Sequence, residues 1–155
     1  MDASTLINLA NGGVLNVVLS LPGVRFLVSS VVRSESKSVV SAVDAVLADG
    51  VLGLVDDDLI SMRTFRAAQE RLSLGAGETE CILAAEQMGC VLACDDLAAR
   101  SAAKKALGAG QVRGSIGLLR MAVEANILNR EAAYIAYQSM RDRGGYLPDL
   151  SADYF

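Results

Sequence analysis

The residues of this chain that could do chemistry are carboxylates, and their positions are regular. Asp2 opens a D-x-S stretch, Asp2-Ala3-Ser4. Glu35 falls three residues after Val32 and four before Val39, on or beside the apolar stripe of a helix. Glu78 and Glu80 sit in the first turn of another helix, and Asp95 and Asp96 directly follow the apolar run Cys90 to Cys94. A charge beside an apolar stripe is costly unless something compensates it. Carboxylates converging at strand ends repel one another and have raised pKa values unless a cation joins them. Oxygen ligands with no His or thiolate partner suit Mg²⁺ or Mn²⁺. Such ions activate water and neutralise the charge that develops when a phosphodiester is attacked. Each residue also has a plainer role. Asp2, Asp95 and Asp96 are good helix N-caps, Glu78 and Glu80 are favourable charges at a positive helix end, and Glu35 can snorkel from the edge of its stripe.

Composition narrows the chemistry. The chain has no His, so Ser- and Cys-hydrolases of the His-dependent kind and His-ligated zinc sites are excluded. Its 14 basic and 18 acidic residues give a net charge of −4, which argues against passive nucleic-acid binding through a basic patch but not against an enzyme reaching nucleic acid through metal ions. Cys81, Cys90 and Cys94 are odd in number, lack C-x-x-C spacing and follow no secretory signal, so reduced thiols in a cytoplasmic protein are expected. The apolar run from Gly12 to Val32 contains Arg25 and is broken by Pro22-Gly23, so it does not read as a membrane span. An apolar fraction of 52% points to a buried subunit interface, with Leu118, Leu119, Met121, Ile127, Tyr134, Ile135 and Tyr137 as candidates for a homodimer or partner-helix surface.

The elements that must position the carboxylates follow from periodicity and punctuation. Helices are predicted over 2–11, 14–21, 31–48, 59–72, 78–88, 97–107, 116–125 and 129–141. Ser29 or Ser30 would cap the third and Asp56-Asp57-Asp58 the fourth. Strands are predicted over 24–28, 51–55, 90–94 and 111–113. Short apolar strands alternating with helices specify an α/β fold with a parallel sheet, in one domain over residues 1–155. Ligands in such folds lie at the carboxyl ends of the strands, where Asp95 and Asp96 fall.

Taken together, these stretches resemble the PIN-domain family. Asp2-Ala3-Ser4-Thr5-Leu6-Ile7-Asn8-Leu9 resembles its D-x-S-x-L-I-N-L opening, and Val32-Arg33-Ser34-Glu35 its V-x-x-E helix. Gly77-Glu78-Thr79-Glu80-Cys81-Ile82 is similar to the G-E-x-E-A-I helix start of a short prokaryotic branch. Cys94-Asp95-Asp96-Leu97-Ala98-Ala99-Arg100 resembles T-D-D-x-x-A-R, with Cys94 where a hydroxyl residue is usual. Gly114-Ser115-Ile116-Gly117-Leu118-Leu119 resembles G-T-x-G-x-L. The resemblance implies a PIN-like (Rossmann-like) sheet flanked by helices and a Mg²⁺- or Mn²⁺-dependent endoribonuclease acting on RNA. It further implies the toxin of a toxin–antitoxin pair, with an antitoxin partner and a homodimer. Carried over, Asp2, Glu35, Glu80 and Asp96 form the acidic quartet, Glu78 and Asp95 are alternates, and Ser4 and Ser115 orient carboxylates or water.

One departure generates a separate expectation. The family carries a central strand just before its first Asp, and here only Met1 precedes Asp2. The natural chain is therefore expected to start about five to seven residues upstream with a Val/Ile/Leu-rich run, the common length of a strand. The competing functional expectation is a catalytically inactive PIN-like module working through protein–protein contact.

Overall fold

Side-chain caps set the element boundaries. In the computed structural model, which describes residues 1–155, Asp2 accepts the Ser4 N–H and starts α1 (Ala3–Asn11). Gly12-Gly13 ends it, and a short α2 (Leu15–Leu19) follows. After β1 (Phe26–Val28), Ser29 Oγ accepts the Val32 N–H and caps α3 (Ser30–Glu35). The expected single helix over 31–48 is interrupted here. Buried Ser36 leaves helical geometry (ψ 38°) and its Oγ donates back to the Val32 carbonyl at 2.8 Å, a local bond that competes with helix continuation. A 3₁₀ turn (Lys37–Val39) leads into α4 (Val40–Ala48). Glu35 is thus the last residue of its helix.

After β2 (Leu52–Leu54), Asp56 caps only a 3₁₀ turn (Asp57–Leu59) by accepting the Asp58 N–H. Ser61, not the acidic run, caps α5 (Met62–Leu72). Then come α6 (Ala76–Met88), β3 (Leu92–Ala93), α7 (Leu97–Leu107), β4 (Val112–Arg113), α8 (Ser115–Glu124) and α9 (Arg130–Asp142).

The sheet differs from a single continuous one. β1 pairs in parallel with β2 (Phe26 with Leu52, Val28 with Leu54), and β3 in parallel with β4 (Leu92 with Val112). The two pairs are joined only through the start of the chain. The Met1 ammonium donates to the Leu27 carbonyl at 2.7 Å, and the Asp2 N–H donates to the Ala93 carbonyl at 2.8 Å. Alternate residues of a parallel strand bond to opposite neighbours, so Met1 and Asp2 occupy a position between β1 and β3. The spatial order is β2, β1, Met1–Asp2, β3, β4, and Asp2 leaves this layer at the same end as Asp95 leaves β3.

One apolar cluster holds the layers together. Leu6 and Leu9 of α1, Val32 of α3, Val43 of α4, Leu119 of α8 and Ala133 and Met140 of α9 are fully buried in it. The strands supply Val28, Leu52 and Leu92. Leu118, Leu119 and Tyr137 are core residues of the monomer, so of the expected association surface only Ile135 is widely exposed. Cys81, Cys90 and Cys94 are all free thiols, the first and last buried. No helix is long and apolar enough to cross a membrane.

Candidate active site

Ser4 joins three of the carboxylate positions at the carboxyl ends of Met1–Asp2 and β3. Its Oγ donates to Asp2 Oδ2 at 2.5 Å and accepts the N–H groups of Asp95 (3.0 Å) and Asp96 (3.2 Å). Asp2 is 3% exposed, and its Oδ2 also receives the Ser4 N–H and the Cys94 thiol at 3.5 Å. Every one of these bonds falls on Oδ2, so Oδ1 is left to bind something else. Cys94 supplies a weak donor where the motif has a hydroxyl. Burial and the neighbouring Asp2 charge raise its thiol pKa well above the ordinary 9.0, so it stays protonated and keeps donating.

The two adjacent aspartates have different work. Asp95 Oδ1 accepts the Ser115 N–H at 2.9 Å and Oδ2 accepts from Asn8 Nδ2 at 2.8 Å. Asp95 therefore braces α1 against the N-terminus of α8 with both oxygens engaged. Asp96 uses Oδ1 to accept the Ala99 N–H at 2.8 Å, capping α7, and its Oδ2 has no protein donor. Ser115 contributes its backbone; its buried Oγ has no hydrogen-bond partner. Asn8 was not singled out in the sequence, although it lies four residues after Ser4 and hence on the same helix face.

Glu35 and Glu78 meet at the N-terminus of α6. Glu35 ends α3 with its carboxylate lying directly over Gly77, where a Cβ would collide with Oε2. Glu78 Oε2 accepts the Gly75 N–H at 2.7 Å, half of a capping box. Partial burial raises the Glu78 pKa above its ordinary 4.5; the Gly75 bond opposes this, and the charges of Asp96, Asp2 and Glu35 add to the rise. Asp2, Glu35, Glu78 and Asp96 thus share one electrostatic environment. Glu80 belongs to the same surroundings: its charge, with those of Asp2 and Glu35, adds to the burial that raises the Cys81 thiol pKa, and its Oε2 is buried without a partner. At about 100° per residue, Glu78 and Glu80 flank the Gly77 direction, about 100° to one side and 60° to the other, so the helix turns both toward the side where Glu35 lies.

Gly77 yields a direct test. Gly77→Ala should leave stability unchanged or slightly raised, because Ala is the better helix former by about 1 kcal/mol and the colliding atom is the tip of a mobile side chain. It should nevertheless push Glu35 off the cluster and weaken divalent-ion binding, read by titration calorimetry. Unchanged ion affinity would show that Glu35 has no part in holding an ion.

No basic side chain of the protein neutralises the cluster. The ion pairs Arg33–Asp44, Arg120–Glu124 and Arg141–Asp149 lie elsewhere. Arg100, four residues after Asp96, donates Nη1 to the Cys94 carbonyl at 2.6 Å. The donor set is all oxygen and free of protein donors on Asp2 Oδ1 and Asp96 Oδ2, which fits a hard divalent cation. No three of the acidic groups stand close enough to hold one ion as they are placed, so binding requires the flexible Glu35 and Glu78 side chains to close in.

A raised carboxyl pKa in the folded state has a defined consequence. The stability it contributes is fully present below the unfolded value of 4.5 and is lost as pH rises through the raised Glu78 value. In EDTA, Glu78→Gln should therefore be more stable than the unsubstituted protein near neutrality, with the difference shrinking as pH falls through this window. Urea unfolding across pH checks this, and a difference independent of pH would contradict it.

The sequence profile of a family described as a PIN domain matches residues 1–152, and the chain belongs to that family. PIN domains are in general nucleases and typically use divalent metals. No curated protein and no solved structure matches the chain.

Proposed function

We propose that this protein is a Mg²⁺- or Mn²⁺-dependent endoribonuclease whose acidic set is Asp2, Glu35, Glu78 and Asp96. The observation that carries this reading is the pair of carboxylates tied together by Ser4 at the strand ends, with Asp2 Oδ1 and Asp96 Oδ2 free of protein donors, beside a Glu78 whose pKa is raised by burial and further by the charges of Asp96, Asp2 and Glu35. A bound divalent ion supplies an activated water and neutralises charge on the attacked phosphodiester. Asp2 and Asp96 would hold such an ion through the oxygens that lack protein donors, and Glu35 and Glu78 would close over it. Ser4 fixes the Asp2 carboxylate and the Asp95-Asp96 backbone as one unit, so Asp2 and Asp96 would stay in place while Glu35 and Glu78 move. Asp95 acts as a brace through Asn8 and Ser115, and Glu80, with its buried unpartnered Oε2, is the alternate to Glu78.

Incubation with a panel of structured and single-stranded RNAs, with Mn²⁺ and with EDTA, tests this. Cleavage that requires the ion supports it, and intact RNA under both conditions overturns it. The absence of three acids already close enough to share an ion favours a second reading, a catalytically inactive module working by protein contact; intact RNA with every ion tried would support it. A toxin role with an antitoxin partner, and a homodimer, rest on the family resemblance and are tested by growth arrest on expression and by light scattering.

A further inference from the structure

The C-terminal segment after α9 places one aromatic ring where the site meets solvent. Tyr146 is 82% exposed, yet the backbone on both sides of it is fixed. Gly145 donates its N–H to the Met140 carbonyl at 2.9 Å and packs so closely on Asn8 that a Cβ there would meet Asn8 Oδ1. Beyond Tyr146, buried Tyr137 donates its hydroxyl to the Pro148 carbonyl at 2.6 Å and accepts the Leu150 N–H at 2.9 Å. Tyr134, Tyr137, Tyr154 and Phe155 pack ring against ring, whereas Tyr146 has no ring partner. Solvent-exposed aromatic area is unfavourable, and here a rigid backbone holds it in place.

Tyr146 stands between two clefts that meet at Asp95 and Leu97. One, of about 530 Å³, is lined by Ser4, Asn8, Asp95 and Asp96, so it reaches the edge of the acidic cluster at Asp96. The other, of about 680 Å³, is lined by Arg100 and Arg113. Arg113 is exposed and takes part in no ion pair. A cationic cleft, an unpartnered ring and an acidic cluster therefore follow one another along the surface. Cations that track a backbone and a ring that takes a base face are the elements of single-strand recognition. A paired base has no free face for such a ring.

We propose that Tyr146 stacks on an unpaired base of single-stranded RNA beside the scissile phosphate, with Arg113 holding the adjoining phosphate. This rests on the ribonuclease reading for the position of the cut, but binding is separable from cleavage. The test uses a single-stranded RNA oligonucleotide carrying 2-aminopurine, whose fluorescence is quenched on stacking. Quenching is followed with Asp2→Asn protein, and steady-state cleavage with Mn²⁺ is followed in the otherwise unsubstituted protein. Tyr146→Ala should weaken binding and raise KM about tenfold, leaving kcat within about twofold, and Tyr146→Phe should restore both. Quenching that depends on Tyr146 in a protein that never cleaves RNA would uphold stacking and overturn the nuclease reading. Cleavage and quenching both indifferent to Tyr146→Ala would overturn the stacking role while leaving the nuclease standing.

Discussion

Asp2→Asn should reduce ion-dependent RNA cleavage by at least about a hundredfold, on the scale of losing one charge-stabilising group from an active site, while the protein stays folded. The substitution separates the two roles that Asp2 combines. Its Oδ2 caps α1 and accepts from Ser4 and Cys94. Asn caps a helix as well as Asp does, and its amide oxygen can accept the same donors. What is lost is the negative charge on a group that is 3% exposed and shares its surroundings with Glu35, Glu78 and Asp96. Removing one charge also relieves repulsion, so the melting temperature in EDTA should hold or rise. A folded variant that cleaves at the original rate would show that Asp2 is a cap alone. A variant that unfolds would show that its charge holds the fold, and would remove the argument for a site here.

Joining a short Val/Ile-rich segment directly before Met1 should raise the melting temperature by roughly 5–10 °C, the scale of a few net hydrogen bonds in a domain of this size. The reasoning comes from the strand edges. In a strand, the N–H and C=O of one residue point the same way. The Leu27 and Ala93 carbonyls already accept from Met1 and Asp2, so their N–H groups face the same slot. A residue placed one before Met1 would accept the Ala93 N–H and donate to the Val91 carbonyl. The residue before that would accept the Leu27 N–H and donate to the Arg25 carbonyl. Its side chains would enter an apolar groove lined by Cys81, Ala84, Ala85, Met88 and Leu92. Pro at the first added position has no N–H to donate and should cancel much of the gain. An extension that leaves the melting temperature unchanged, or a Pro variant as stable as the rest, would contradict this register.

Much of the fold was legible because its signals are local. The run after Asp96 predicts α7 with the bounds observed, Leu97–Leu107, since an N-cap and a terminal Gly punctuate it. The apolar strands lie where expected, each one to three residues shorter in all. Of the features that escaped, two are local competitions between caps or back-bonds and helix continuation, and the third depends on distant segments. Ser36 breaks the expected helix through its bond to Val32, a choice between helix and back-bonding that composition does not decide. Ser61 rather than Asp56 caps α5, because the acidic run is used up in a turn of its own. The sheet divides into two pairs because only Met1 and Asp2 lie between β1 and β3.

The site divides in the same way. Asp2, Glu35 and Asp96 stand out as candidates in the sequence from their placement beside helix starts, an apolar stripe and a strand end. Glu78 and Glu80 both satisfy the same local pattern, and α3 packed against Gly77 brings Glu35 near both: Glu78 is raised by burial and by the Asp96, Asp2 and Glu35 charges, and Glu80 acts with Asp2 and Glu35 on Cys81. Asp95 and Asp96 are likewise adjacent, and their roles part only when Asn8 and the α8 N-terminus arrive to occupy Asp95. Tyr146 lies in a stretch with no periodic signal at all.

The central claim is that Asp2, Glu35, Glu78 and Asp96 hold one divalent ion. Electron paramagnetic resonance of Mn²⁺ titrated into the unsubstituted, Glu78→Gln and Glu80→Gln proteins tests it most directly, because it counts free ion without requiring a substrate. The account predicts one equivalent bound by the unsubstituted and Glu80→Gln proteins, and an affinity reduced by at least about tenfold in Glu78→Gln. Absence of binding by the unsubstituted protein at millimolar Mn²⁺, or binding lost in Glu80→Gln and kept in Glu78→Gln, would contradict it.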